Sequence, residues 1–338
     1  MFSIFFIIEE IGHDKLARFV SYTSLKKMIK ILLFCMLVGV GAMQWHVFKE
    51  QFGKSYHIGE EHRQRIFEQN VAKIELHNSN PNNTYTMAVN GFADLTWDEF
   101  RMQYLSNFTH LNRTSSHQVS NSNTSVPEKK DWRGIVTDVK NQGNCGSCWS
   151  FAAVGGIESL YAIRTGQIMN FSDQQVLDCT SVGSCAGGYM ESAYAFVLEN
   201  GICAESEYGY VGYDDVCRNC TKVFHIAGFD SVQSEEKLVV AVARQPITVA
   251  IEANQNLQFY SSGIYDDPDC NNINAINHGV LVVGYDSQSS GLSFGKNDYW
   301  IIKNSWGVGW GERGYFRMRR NFGEYGMCAV AAYGTYAY

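Results

Sequence analysis

A cysteine with the features of a reactive thiol stands at position 148. It follows a loop rich in Gly and Ser that begins at Gln142, and it opens a segment with helical character, WSFAAVGGIESLYAIRTG. The N-terminus of a helix stabilises negative charge, so we expect a lowered pKa for a thiol placed there. Since the thiolate is the nucleophilic form of cysteine, the sequence predicts a nucleophile at Cys148.

A histidine and an asparagine further along the chain complete the chemistry of acyl transfer. His278 stands at the start of an apolar segment, GVLVVGY, and Asn304 lies in the sequence KNSWG. The asparagine side chain can accept the second ring N–H of a histidine, and the nearby Trp306 can exclude water. A nucleophile, a general base and an orienting amide are the parts of acyl transfer through a thioester.

Taken together, the motifs around Cys148, His278 and Asn304 resemble those of the papain-type cysteine proteases, of the cathepsin L type and in proenzyme form. The family signature is Cys-Gly-Ser/Ala-Cys-Trp/Tyr, with His and Asn roughly 130–150 residues downstream. Here His278 follows Cys148 by 130 residues and Asn304 follows it by 156. The longer spacing to Asn304 is consistent with an extended loop over residues 286–297.

The resemblance implies a role for each residue. Cys148 is the nucleophile that forms an acyl-enzyme, His278 the general base and then acid, and Asn304 the orienting group. The Gln142 side-chain amide contributes to the oxyanion hole beside the Cys148 backbone N–H, and Trp306 covers the His–Asn hydrogen bond. The implied reaction is peptide-bond hydrolysis with no metal or cofactor. An endopeptidase is favoured, because the chain has no insertion with the paired histidines that block the cleft in the family's carboxydipeptidases.

The resemblance also implies which residues bind substrate. They are Gly187, Gly188, Tyr189, Met190, Ala250, Ile276, Gly279, Trp306 and Tyr333. The pocket for the side chain two residues before the cut is apolar, with Tyr333 as its floor and no acidic group to admit Arg. We therefore expect a shallow pocket that prefers Leu or Val over Phe. Alternatively, Tyr333 points away and the pocket is deep.

The cysteine count favours disulfides and one free thiol. Of the 10 cysteines, Cys35 falls in the leader and nine follow residue 140. An odd number leaves one thiol unpaired in an oxidising compartment, either a working thiol or an inert buried one. A zinc site at Cys179, Cys185, Cys217 and Cys220 fits the spacing but not an exported chain.

The resemblance assigns three disulfides by position and leaves two cysteines, which we pair as an extra bridge. The four bridges are Cys145–Cys185, Cys179–Cys217, Cys270–Cys328 and Cys203–Cys220. Because Cys217 and Cys220 lie close in sequence, the two bridges that contain them could exchange partners.

The N-terminal region indicates export. From Met28 the chain shows a basic start, an apolar run and a small-residue end at Ala42, which is typical of a signal peptide. We assign residues 1–42 to a signal region and favour Met28 as the true start; a single membrane anchor is the rival interpretation. Six glycosylation sequons fit the secretory route, at Asn82, Asn107, Asn112, Asn123, Asn170 and Asn219. We expect a lysosomal, acidic endosomal or extracellular location.

Residues 43–125 resemble the family's inhibitory propeptide and a linker. Two family patterns are present, one helical at Arg63, Phe67, Asn70, Ile74 and Asn78, the other Ala88-x-Asn90-x-Phe92-x-Asp94. The helical pattern lacks its first Glu, where Gly59 stands. Residues 106–125 are poor in apolar groups and predict a mobile, cleavable linker. The mature peptidase domain is assigned to residues 126–338, with the propeptide as its intramolecular inhibitor.

The expected fold is α+β and papain-like, with two lobes preceded by a helical propeptide. A helical left lobe carries Cys148, and a β-barrel-like right lobe has strands near 247–251, 279–285, 299–303 and 314–318. The chain has 338 residues, 45% of them hydrophobic, and a net charge of −7 without a basic cluster. This composition excludes global disorder, and it offers no cluster of positive charge that would bind nucleic acid. We expect a monomer that acts on proteins and peptides, without a stable membrane span.

Two other classes of function are weaker interpretations. Cys145-Gly-Ser-Cys148 could be a thiol–disulfide exchange motif, but that motif predicts a βαβ unit and leaves Gln142, His278 and Asn304 unexplained. A non-catalytic relative, acting as a binding or matrix protein, would have lost the nucleophile or the histidine. This chain retains both.

Overall fold

The computed structural model describes residues 45–106, 108, 126–289 and 296–338. The signal region and most of the predicted linker therefore lie outside the described residues. The chain divides into two compact units, Met1–Gln64 and Arg65–Tyr338. In the first, residues 45–51 are helical (α1), and Trp45 stacks on Phe48 and Tyr56. This helix ends just before Gly53, which takes a positive φ of 60°.

Seven further α-helices follow in the described residues. They are α2 (Glu60–Asn78), α3 (Trp97–Tyr104), α4 (Cys148–Thr165), α5 (Asp173–Cys179), α6 (Met190–Asn200), α7 (Glu235–Val242) and α8 (Gln255–Gln258). Local sequence explains several ends. Thr96 and Glu99 form a reciprocal capping box at α3, and Gly166 ends α4 with φ 72°. Helix α2 contains every residue of the predicted helical propeptide pattern, from Arg63 to Asn78.

Eleven strands are present in the same residues. They are β1 (Tyr85–Met87), β2 (Lys130–Asp131), β3 (Ile202–Cys203), β4 (Lys222–Phe224), β5 (Phe229–Val232), β6 (Ile247–Ile251), β7 (Tyr260–Tyr265), β8 (His278–Ser289), β9 (Lys296–Lys303), β10 (Tyr315–Arg319) and β11 (Gly334–Ala337). The four predicted strands correspond to β6, β8, β9 and β10. The predicted loop over 286–297 is partly strand, since β8 runs to Ser289 and β9 starts at Lys296.

Nine strands form one sheet, in the order β1-β7-β10-β9-β8-β6-β11-β5, with β2 paired to β8. Among the described strands the sheet does not close on itself, so the β-rich lobe is not a closed barrel. The ends of the series are β1, which comes from the propeptide, and β5, and each has one strand neighbour. A separate two-stranded sheet, β3-β4, accompanies the helices.

Helix α4 is the central element of the mature domain. Fourteen of its 18 residues are buried, and it contacts helices α5 and α6 and strands β6, β8 and β11. Helices that are apolar all round belong in a core. This position places the N-terminus of α4, with Cys148, next to the start of β8, with His278.

Four disulfides fasten the mature domain. They join Cys145 to Cys185, Cys179 to Cys217, Cys203 to Cys220, and Cys270 to Cys328. Cys148 is the free cysteine among the described residues. They include the three pairs that the resemblance assigned and the Cys203–Cys220 bridge that we formed from the two remaining cysteines.

No helix within the described part of the chain is both long and apolar enough to cross a bilayer.

Candidate active site

His278 and Asn304 meet because their strands are adjacent. His278 is the first residue of β8, and Asn304 directly follows β9, which pairs with β8. The His278 Nε2 atom lies 2.8 Å from Asn304 Oδ1. A carbonyl oxygen only accepts, so Nε2 carries the proton and Nδ1 is left as the basic nitrogen. The indole of Trp306 stacks on the imidazole at 4.6 Å between ring centroids, which shields this hydrogen bond from water.

The ring of His278 is fully buried, and burial lowers its pKa to about 4, although the hydrogen bond to Asn304 opposes the shift. Its Nδ1 atom is buried without a hydrogen-bond partner. In this closed state the imidazole is therefore neutral over the physiological pH range.

Cys148 begins α4, as predicted, but its environment differs from the prediction. The thiol is completely buried, and burial raises its pKa, while a hydrogen bond from the Gly279 backbone N–H opposes that rise. That N–H lies 3.3 Å from the sulfur. The expected lowering of the pKa is wrong for this state, because removal of water outweighs the helix terminus.

Ser106 lies against the nucleophile. Its hydroxyl oxygen is 3.1 Å from Cys148 Sγ and 2.8 Å from the carbonyl oxygen of Gly146. A hydroxyl has one proton, so it donates to the carbonyl and the thiol donates to the hydroxyl. The Ser106 backbone N–H also donates to the Asn277 carbonyl at 2.8 Å. This segment of chain excludes both water and substrate from Cys148.

The Gln142 side chain is occupied in the same way. Its Nε2 atom donates to the carbonyl oxygen of Tyr104 at 2.9 Å and to that of Cys145 at 2.8 Å. Its Oε1 accepts from the Ser305 hydroxyl at 2.6 Å, which fixes the orientation of the amide. The propeptide carbonyl of Tyr104 therefore takes a donor that the resemblance assigns to the oxyanion hole.

Aromatic side chains of the propeptide cover Trp306. Phe92 and Phe100 meet the indole edge-to-face at 5.9 and 5.1 Å, and Tyr104 stacks on Phe100 at 5.1 Å. Phe100 is fully buried. Such pairs add about 0.5–1.5 kcal/mol each beyond the burial of their area. This contact closes the cleft over the His278–Asn304 pair.

Phe108 is buried near Tyr189, one of the predicted substrate-binding residues. Its buried side chain belongs to one apolar cluster with Met190, Ala250 and Ile276, with Tyr189 and Tyr333 packed at the border. Its ring lies 6.3 Å from that of Tyr189. The preference of a shallow pocket for Leu or Val over Phe stays a prediction.

The glycines of the predicted cleft have separate reasons to be glycine. A Cβ at Gly188 would meet the Trp149 ring at 2.5 Å, and Gly187 has φ 130°. A Cβ at Gly279 would approach the Cys148 carbonyl oxygen to 3.1 Å. All three keep the backbone near the nucleophile free of side chains.

In both propeptide patterns an asparagine side chain donates hydrogen bonds to backbone carbonyl groups. Asn70 Nδ2 donates to the carbonyls of Ala93 and Leu95 at 2.9 and 3.0 Å, and Asn90 Nδ2 donates to Gln258 at 2.8 Å. Asp94 is buried. Helix α2 begins at Glu60, directly after Gly59, so the missing Glu does not prevent the helix.

Sequence reasoning missed the roles of Tyr104, Ser106 and Phe108. It assigned 106–125 to a mobile linker, but Ser106 and Phe108 are buried; residue 107 and residues 109–125 lie outside the described part of the chain. The surrounding polar composition hid these two residues. The only available signal was Phe108 itself, an aromatic in a polar segment. No group of His, Cys, Asp or Glu within the described ranges has the arrangement of a metal site.

Comparison with known proteins gives the same assignment in two parts. Residues 126–338 match the papain family cysteine protease model, and residues 45–100 match the cathepsin propeptide inhibitor domain. A cathepsin L-like proteinase of Fasciola hepatica is 40% identical over 85% of this chain and 90% of that protein. Procathepsin L of Mus musculus is 38% identical over 86% and 91%.

Solved structures agree with this result. The digestive procathepsin L 3 from Tenebrio molitor larval midgut has a TM-score of 0.79 and 39% identity, and the match covers 88% of this chain and 98% of that one. The chain therefore belongs to the papain family of cysteine proteases, and it is a cysteine endopeptidase in its proenzyme form.

Proposed function

We propose that Cys148 attacks the scissile carbonyl of a peptide and is acylated, with His278 as its proton acceptor. His278 Nδ1 takes the thiol proton as the C–S bond forms, then gives it to the departing amine as the C–N bond breaks. Water, deprotonated by the same nitrogen, hydrolyses the thioester and returns the thiol. The observation that carries this proposal is the 2.8 Å bond from His278 Nε2 to Asn304, because it leaves Nδ1 as the base.

We assign Gln142 Nε2 and the Cys148 backbone N–H to the oxyanion of the tetrahedral intermediate. The Gln142 amide already binds one carbonyl oxygen, that of Tyr104, at 2.9 Å. A preorganised donor of this kind acts without reorganisation during the reaction.

Latency comes from residues 104–108. The Tyr104 carbonyl binds the oxyanion donor Gln142, and the Ser106 hydroxyl covers the nucleophile Cys148. Phe108 is buried beside Tyr189 of the proposed apolar pocket. Activation then requires removal of this segment. We place the cut near Ser125–Val126, so that residues 43–125 are the propeptide and linker and residues 126–338 are the mature domain. Acid pH favours release of the propeptide segment. Burial in the closed cleft lowers the pKa of His278, so protonation of this side chain in acid favours the open cleft.

For substrates, we assign the pocket formed by Tyr189, Met190, Ala250, Ile276 and Tyr333 to the side chain two residues before the cut. Its apolar walls favour Leu, Val and Phe over Arg, at about 0.8 kcal/mol per buried CH₂. The burial of Phe108 in this cluster supports the inclusion of Phe.

The four disulfides support folding on the secretory route. Within that route we favour an acidic endosomal or lysosomal compartment, or the extracellular space, with the enzyme acting as a monomer. Sedimentation of the mature enzyme would test the oligomeric state.

The decisive test is labelling with a thiol-reactive epoxide. The activated protein should be modified at Cys148 and lose peptidase activity, whereas the intact proenzyme at neutral pH should react slowly because the thiol is buried. Cys148→Ser is the control, and it should neither react nor cleave. Modification at Cys145, or full activity after complete labelling of Cys148, would contradict the assignment. N-terminal sequencing of the active form should start within a few residues of Val126.

A further inference from the structure

Strand β7 (Tyr260–Tyr265) is covered by a part of the propeptide that does not reach the catalytic residues. It pairs with β10 on one side and with the propeptide strand β1 (Tyr85–Met87) on the other. Removal of the propeptide leaves the β1-facing edge of β7 open. An open strand edge presents unpaired N–H and C=O groups to any extended chain.

The contacts along this edge are largely made by main-chain atoms of β7. Ile264 N–H donates to the Thr84 carbonyl at 3.0 Å, and Ala88 N–H donates to the Phe259 carbonyl at 2.9 Å. The Thr84 hydroxyl donates to the Ile264 carbonyl at 2.6 Å. Main-chain pairing of this type depends little on the sequence of the added strand.

Gly263 makes the close approach possible. It has φ +98°, and a Cβ built on it would lie 2.5 Å from the Thr84 carbonyl oxygen and 2.7 Å from the Tyr85 Cα atom. No residue with a side chain allows a second backbone so near. The edge is therefore shaped to receive another strand.

An aromatic slot beside the edge supplies selectivity. The Tyr85 ring is 5% exposed and lies 4.7 Å from the ring of Tyr265 and 6.3 Å from that of Tyr260. The Tyr265 hydroxyl donates to Asp267 Oδ2 at 3.0 Å, which holds that wall in place. Both walls belong to the mature domain and remain after activation.

We propose that in the mature enzyme the open edge of β7 binds an extended segment of a protein substrate that packs an aromatic side chain against Tyr260 and Tyr265, as Tyr85 does. The proposal rests on the endopeptidase activity and adds a substrate-binding surface outside the catalytic cleft. Strand addition would supply affinity through the main chain, and the slot would select the aromatic residue.

A protein substrate can take the place of the propeptide on this surface once the propeptide itself has been degraded. The far edge of β1 is held by helix α2, with His77 Nε2 3.1 Å from the Tyr85 carbonyl and Asn78 bonded to Met87 N and O at 2.9 and 2.8 Å. Proteolysis of the propeptide removes that support. The mature domain contributes only the edge and the slot, which other chains can use.

Peptide competition tests the proposal without altering the enzyme. The competitor is an acetylated, amidated peptide of residues 82–90, NNTYTMAVN, and the matched control carries Tyr85→Ala. We expect the first peptide to raise the KM of an unfolded protein substrate at least threefold and to leave hydrolysis of a dipeptidyl coumarin substrate unchanged, with a weaker effect of the control. Mass spectrometry checks that the peptides stay intact.

Two outcomes would overturn the proposal. If the peptide slows neither reaction, the edge does not bind substrate; if it slows both equally, the peptide binds in the cleft. An enzyme that failed to hydrolyse the coumarin substrate at all would instead contradict the catalytic assignment.

A variant gives an independent measurement. Gly263→Val puts a side chain in the path of the added strand, so protein cleavage should fall several-fold while dipeptide hydrolysis stays the same. Gly134→Val is the control, because nothing lies within 4 Å of its Cβ position. If Gly263→Val fails to fold, the peptide competition decides. Equal protein cleavage by a folded Gly263→Val enzyme would refute the proposal.

Discussion

The hydroxyl oxygen of Ser106 lies 3.1 Å from the sulfur of Cys148, so the chain covers its own nucleophile with a residue 42 positions earlier. The same segment places the Tyr104 carbonyl on Gln142 and buries the Phe108 ring beside Tyr189. Inhibition is therefore steric and chemical together: substrate is excluded, and the thiol is kept protonated by burial.

The oxyanion role of Gln142 can be tested in the mature enzyme. Gln142→Ala should lower kcat/KM about 10²–10³-fold, as is typical for the loss of one oxyanion donor, with most of the effect in kcat. The control is Asn144→Ala, an exposed residue of the same loop, which should retain near-normal activity. Equal losses in the two variants would indicate a disturbed loop instead of a lost donor.

The aromatic contact on Trp306 should control latency. Phe100→Ala removes a fully buried ring, and such truncations cost about 3–5 kcal/mol. We expect the variant proenzyme to show peptidase activity at neutral pH and to activate faster in acid. Met102→Ala on the same helix is the control, since that side chain is 69% exposed. Unchanged latency of Phe100→Ala would show that other contacts hold the cleft closed.

Burial of His278 should make the proenzyme less stable in acid. Its pKa is about 4 in the closed state against an ordinary 6.5. Between these values the unfolded chain binds a proton that the closed protein does not, so the free energy of unfolding falls as the pH is lowered through this window. The loss is on the order of 2–3 kcal/mol by pH 4, at about 1.4 kcal/mol per pKa unit.

The measurement is the Tm of the Cys148→Ser proenzyme, which cannot process itself, at pH 7.5 and at pH 4.5. Adding His278→Asn should flatten the pH dependence, whereas His225→Asn, at an exposed histidine, should leave it as it is. If the Tm of the His278→Asn variant still depends on pH as before, the acid sensitivity comes from the carboxylates.

Tyr333 should limit the depth of the apolar pocket. In the mature enzyme, Tyr333→Ala should raise kcat/KM for substrates with Phe two residues before the cut, relative to those with Val, because the larger pocket buries more of the ring. The control is Tyr338→Ala, at a tyrosine that is 45% exposed. An unchanged Phe-to-Val ratio in Tyr333→Ala would mean that this side chain does not line the pocket.

Local patterns in the sequence were sufficient for several elements and for the identity of the reacting residues. The helical pattern from Arg63 to Asn78 predicted α2, and the strand near 247–251 was predicted as β6, because such local patterns reflect the environment of one segment. The positions of Cys148, His278 and Asn304 could be recognised from three short motifs. Neighbouring strands β8 and β9 bring His278 and Asn304 together, and helix α4, which packs against β8, brings Cys148 to them.

Other properties depended on residues far apart in the chain, and only the tertiary structure decided them. The pKa of Cys148 is raised instead of lowered because Ser106 and its neighbours remove water from the helix terminus. The pairing of β1 with β7 joins segments nearly 180 residues apart and depends on the missing side chain of Gly263. Burial and strand pairing are properties of the assembled chain, and the composition of residues 106–125 could not reveal that Ser106 and Phe108 are buried.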